Sequence, residues 1–193
     1  MGSYKQACKR EKKAKPPLDA ARLREMALAY VAKYATSSAK LERYLARKIW
    51  ERGWAEDEPP ADIRELVERY TDLGYIDDEA FARNKTGSLM RRGYGARRVN
   101  EALGQDGITS TIREDVAAGE AEQRHAALTL ARKRRFGPFG MEAPEKPKRE
   151  KQISAMLRAG HSLDSAREMV NAETTEAAEE WAHEYDEDLP HDF

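Results

Sequence analysis

Residues 97–107 read Arg97-Arg98-Val99-Asn100-Glu101-Ala102-Leu103-Gly104-Gln105-Asp106-Gly107. Val99 and Leu103 stand four apart, the spacing that places two side chains on one face of a helix, and Gly107 is the residue type on which such a helix ends. The same figure occurs twice more: Leu41 and Leu45 precede Gly53, and Ile153 and Leu157 precede Gly160, with basic residues in between. Short helices are expected after the second and third glycines, carrying Ile112 and Val116 in one case and Ala166 and Val170 in the other. The pattern predicts an internal repeat of three-helix units, each roughly 50 residues long, that cannot bury its apolar face alone and must lean on its neighbour.

Working outward, apolar residues recur at three- and four-residue intervals and strand-like alternation is nearly absent, so the whole body reads as helical. Leu23, Met26, Ala27, Tyr30, Val31 and Tyr34 form a first stripe, and Thr36-Ser37-Ser38 supplies an N-cap for the second helix, which Gly53 stops. Pro59-Pro60 suit the first turn of a third helix through Ile63, Leu66, Val67, Tyr70 and Leu73. Asp77-Asp78-Glu79 opens a fourth, through Phe81 and Leu89, with carboxylates at its positive dipole end. A helix with Ala126, Ala127, Leu130 and Ala131 starts the last unit, Ser162 caps its final helix, and the acidic end with Trp181 leaves room for a tenth. The expected fold is all-α: an elongated, curved array of three tandem three-helix repeats at residues 20–72, 73–119 and 120–172. The third contains a loop near 136–147. A disordered basic arm at 1–19 and an acidic tail at 173–193 flank the array.

Composition fits a thin architecture. Of the 193 residues, 36% are charged and 8% aromatic, and the mean hydropathy is -0.87, which leaves little apolar material for one thick core. No apolar run approaches the roughly 20 residues that span a bilayer, and no secretory stretch opens the chain, so a cytoplasmic protein with no membrane contact is expected. Cys8 is the only cysteine, which excludes a disulfide framework and a zinc site built on thiolates. The net charge of -1 conceals a segregation: residues 1–15 come to +5, residues 171–193 to -9 and the body between them to +3. A basic body between a basic arm and an acidic tail suggests a phosphate-seeking arm and a tail that competes with it.

Three stretches carry a family resemblance. They are Leu73-Gly74-Tyr75-Ile76-Asp77-Asp78-Glu79-Ala80-Phe81-Ala82-Arg83, Arg91-Arg92-Gly93-Tyr94-Gly95-Ala96-Arg97-Arg98-Val99, and Ser37-Ser38-Ala39-Lys40-Leu41-Glu42-Arg43-Tyr44-Leu45, with Lys148 to Gly160 as a third-repeat counterpart. In order and spacing they resemble the RecX family over about residues 20–172. The basic arm, the proline-containing loop and the acidic end depart from the family pattern and carry no inference from it. The resemblance implies three tandem three-helix repeats and a regulator: a protein that binds RecA filaments on single-stranded DNA and suppresses ATP turnover, strand exchange and co-protease activity.

The residues themselves point to a surface, with no pocket for chemistry. Lys40, Arg43, Arg47 and Lys48 on the second helix, Arg83 on the fourth, and Arg91, Arg92, Arg97 and Arg98 around Tyr94 are candidates for contact with RecA or DNA. Arginine forks grip phosphate or carboxylate, and a tyrosine between them stacks on a base or packs at a partner. The competing reading is a solvated face laced with i,i+4 pairs. Arg132-Lys133-Arg134-Arg135 either contacts phosphate, with Phe136 and Phe139 as anchors, or simply ends a helix with cations at the negative dipole end.

Asp77, Asp78 and Glu79 read as a helix cap, not as a nuclease metal set. His125, His161, His183 and His191 include no pair at i,i+4 spacing, so neither metal nor cofactor is expected. Gly93-Tyr94-Gly95 and Gly137-Pro138-Phe139-Gly140 lack the Gly-Lys-Ser/Thr ending of a phosphate cradle. The residues thus read as a non-enzymatic chain, and the RecX resemblance implies a monomer that meets RecA-coated single strands and binds bare DNA weakly, in a salt-sensitive manner. Its chief competitor is a helix-turn-helix transcriptional regulator, marked by strong binding to a palindromic duplex. A nucleic-acid enzyme, the third class, needs a metal or acid/base set that the sequence does not display.

Overall fold

The computed structural model describes residues 16–142 and 144–188. The basic arm with Cys8 (1–15) and the end of the acidic tail (189–193) lie outside the described residues. Among the described residues there are ten α-helices: α1 (Ala20–Lys33), α2 (Ser38–Arg52), α3 (Ile63–Asp72), α4 (Asp78–Arg91), α5 (Ala96–Gln105), α6 (Ser110–Asp115), α7 (Glu120–Arg134), α8 (Lys146–Arg158), α9 (Leu163–Asn171) and α10 (Thr175–His183). No helix among them is long and apolar enough to cross a membrane.

Caps set where the helices start. The Ser37, Asp77 and Ser162 side chains accept first-turn N–H groups of α2, α4 and α9, as their positions predict. Pro59-Pro60 differ from expectation. They precede α3 without entering it, because Asp62 Oδ1 takes the Glu65 N–H at 2.9 Å and so starts the helix three residues later. At the far end of α5 and α8, Gly107 (φ 83°) and Gly160 (φ 98°) take the left-handed conformation. The next N–H then reaches back to close the turn, Ile108 to Leu103 and His161 to Met156.

Three apolar clusters lie in succession, one for each helix triplet α1–α3, α4–α6 and α7–α9. Leu23, Leu41, Leu45 and Val67 belong to the first, Met90, Val99 and Leu103 to the second, and Met156, Ala166 and Met169 to the third. The tandem repeat is real, but its third register is one residue off the sequence reading. Gln152 and Met156 are buried, whereas Ile153 and Leu157 are only half-buried. A buried glutamine is possible here because its Oε1 accepts the Gly137 N–H at 2.9 Å.

The two junctions between triplets differ in kind. Between the first and second, Ser37 Oγ donates to the Asp106 carbonyl at 2.6 Å, Ser38 N–H to Asp78 Oδ1 at 2.8 Å and Arg43 Nη1 to the Gln105 carbonyl at 2.8 Å. Between the second and third, α7 packs on α4, with Ala126 in the second core and Ala127 in the third. Gly95 N–H donates to the Ala159 carbonyl (3.0 Å) and Arg97 N–H to that of Gly160 (3.2 Å). One junction is mostly polar; the other is a shared hydrophobic helix.

Both charged ends are more ordered than expected where they are described. Leu18 is fully buried and forms a parallel β-bridge with Trp54, and Arg52 holds the Pro16 carbonyl, so the chain is anchored from Pro16 onward. The acidic segment, expected as a tail, folds as α10 from Thr175 to His183 and buries Ala178 and Ala182 in the third core, beside α7. The alanines supply the apolar stripe that a count of carboxylates overlooks.

Candidate functional site

The structure divides the basic candidates into two groups. Several are committed to holding the array together. Lys40 lies 3.7 Å from Asp106 and over the Phe81 ring, Arg43 caps α5, and Arg97 Nη2 donates to the Leu157 carbonyl at 2.5 Å. Each of these crosses a junction between triplets. Arg47 and Lys48 pair with Glu51 and flank the Tyr44 ring, which stacks on Tyr30. Arg83 pairs with Glu79 and Arg98 with Glu101, as the solvated-face reading has it. Arg92 lies over the Tyr94 ring, so this tyrosine already has a cation on one face. Gly93 and Gly95, which flank it, are buried.

The run at the end of α7 behaves differently. Arg132 is neutralised by Glu179 of α10 at 2.5 Å, where the acidic segment meets the basic run. Lys133 and Arg134 complete the last turn, and Arg135 is the left-handed C-cap (φ 54°). Among the described residues Arg91, Lys133, Arg134 and Arg135 make no ion pair, and all four are exposed. Arg134 and Arg135 face α8 across a groove of about 480 Å³ whose walls include Phe136, Met141, Lys148 and Lys151. Met141 is 94% exposed.

Four cations and two large apolar side chains thus line one groove between the end of α7 and the start of α8. Lys148 and Lys151 belong to this surface and were not among the sequence candidates. Their signal was weak, because a charge run at the start of a helix looks like solvated surface. Trp50 of α2 stands 86% exposed.

Comparison with known proteins agrees with this architecture. The family model described as RecX, second three-helix domain, matches residues 77–116, which span α4 to α6. The chain is 28% identical to the Regulatory protein RecX of Myxococcus xanthus, over 85% of this chain and 90% of that protein. It is 30% identical to the Regulatory protein RecX of Mycobacterium sp. strain KMS, over 77% of this chain and 82% of the relative. The chain belongs to the RecX family. Its fold matches the crystal structure of RecX from Lactobacillus salivarius with a TM-score of 0.61 at 22% identity, over 78% of this chain and 93% of that one. The triplet α4–α6 is the one that the second RecX domain matches, and it takes part in both junctions between triplets.

Proposed function

We propose that this chain is a non-enzymatic cytoplasmic regulator that binds RecA filaments on single-stranded DNA and restrains RecA's ATPase, strand exchange and co-protease activity. It thereby tempers recombinational repair and the SOS response. Residues 20–72, 73–119 and 120–172 act as three successive contact modules of one monomer. The observation that carries the reading is the cationic groove of Arg134, Arg135, Lys148 and Lys151, with Phe136 and Met141 also lining it, on the last repeat of a RecX array. Cations beside exposed apolar side chains suit a phosphate backbone with unstacked bases, or an acidic protein edge, at a filament surface. The names of the relatives support the regulatory role.

The test follows RecA's ATPase on single-stranded DNA with this protein held below the RecA concentration. Inhibition that rises with dose at those ratios is expected, together with DNA binding that is weak on bare strands and falls with salt. An unchanged ATPase rate at equimolar protein would sink the proposal.

A further inference from the structure

We infer that α7, α10 and the turn after α10 form a binding site for one borderline divalent transition cation, zinc foremost, with His125, His183 and Asp186 as ligands. One donor atom from each lies within 4.8 Å of the other two. His125 Nε2 is 2.5 Å from Asp186 Oδ1, and the two imidazole rings meet edge to face with centroids 4.9 Å apart. The three come from elements distant in sequence, which the helix packing holds together: Ala178 and Ala182 are buried in the third core, and Arg124 of α7 fixes the turn by bonding the Trp181 carbonyl at 3.0 Å and Glu184 at 2.5 Å.

A backbone bond prepares His183 for a metal. His183 Nδ1 lies 2.5 Å from the Glu179 carbonyl, a group that can only accept, so the proton sits on Nδ1 and the lone pair on Nε2. Ligating histidines are oriented in this manner, with the second ring nitrogen donating to a backbone carbonyl or carboxylate. Two imidazoles and a carboxylate suit zinc and its neighbours better than calcium or magnesium, which prefer an all-oxygen shell. Tetrahedral zinc with bonds near 2.0–2.1 Å sets its ligand atoms roughly 3.3 Å apart. The His125–Asp186 pair would open by about 0.8 Å to admit it, and water would take the fourth position. His183 sits in the last turn of α10, where the helix dipole favours a cation. A metal here would staple the acidic C-terminal segment onto α7.

Full-length protein without a histidine tag, stripped by a chelator, would be titrated with zinc chloride by calorimetry. Cobalt would be followed by its visible absorption. One equivalent per chain is expected, with slower amide exchange in 175–188 on binding. His183→Ala, at an exposed position, should keep the helical circular dichroism of the parent and weaken binding by roughly 100-fold or more, beyond what losing an outer-shell partner costs. Asp186→Asn should weaken binding and leave the fold intact. Absence of saturable binding would overturn the inference. So would affinity that survives His183→Ala but is lost in His191→Ala or Cys8→Ser.

Discussion

Gly95 and Gly160 pack backbone against backbone where the second and third repeats meet: a methyl group on Gly95 would overlap the carbonyl carbon and oxygen of Gly160. Gly95 itself has an ordinary extended conformation (φ -80°, ψ 167°), so the requirement for glycine is one of space. Gly95→Ala should destabilise the protein by about 1–3 kcal/mol through overpacking, seen as a fall in urea midpoint. Gly119→Ser, where nothing lies within 4 Å, should be neutral or slightly stabilising, since serine can cap α7. Equal effects of the two substitutions would refute the close approach.

The same junction holds a pH-sensitive group. His161 is buried, its Nε2 lies 3.0 Å from the Gly93 carbonyl, and burial lowers its pKa below 6.5 in spite of that bond. The unfolded chain therefore takes up a proton on this ring at a higher pH than the folded chain does. Stability is full above pH 6.5 and is lost as pH falls from there toward the folded pKa. Urea unfolding at pH 7.5 and pH 5.5 should show the drop, and His161→Gln should flatten it; a slope that the substitution leaves intact would assign the effect elsewhere.

Thr86 has a buried hydroxyl with no hydrogen-bond partner among the described residues. Thr86→Val keeps the shape and removes the desolvated group, so it should stabilise the fold by about 1 kcal/mol. Equilibrium denaturation checks the sign, and a clear loss of stability would mean that the hydroxyl has a bonding role.

The split among the basic residues predicts two phenotypes. Alanine at Arg134, Arg135, Lys148 and Lys151 together should leave the melting temperature near that of the parent. It should weaken RecA inhibition and lower the salt slope of single-strand binding by about 0.7 for each phosphate contact removed. Arg97→Ala should instead cost stability first, by about 1 kcal/mol, because its guanidinium ties α5 to the Leu157 carbonyl. A quadruple variant with full inhibitory potency would dissociate the groove from the proposed function.

Local chemistry was readable from residue order. Ser37, Asp77 and Ser162 cap the helices assigned to them, and Leu41, Leu45, Val99 and Leu103 are buried as their spacing implies. Failures arose where a partner lies far along the chain. Gln152 looks polar until the Gly137 N–H is beside it, which is why the third repeat was read one residue late. Arg43 and Arg97 looked like free surface, and only the packed repeats reveal the helix-end carbonyls they satisfy. His125 and His183 meet across two helices, a proximity that spacing along one helix does not display.

Ala126 and Ala127 are consecutive on α7 yet sit in different interiors, so shared packing joins α4 to α10 into one beam. The first triplet joins that beam through a seam of serine, lysine and arginine contacts. Bending is cheapest at such a seam, where water can replace each lost bond. A protein made this way can swing its leading module at that seam while none of its three oily interiors is disturbed.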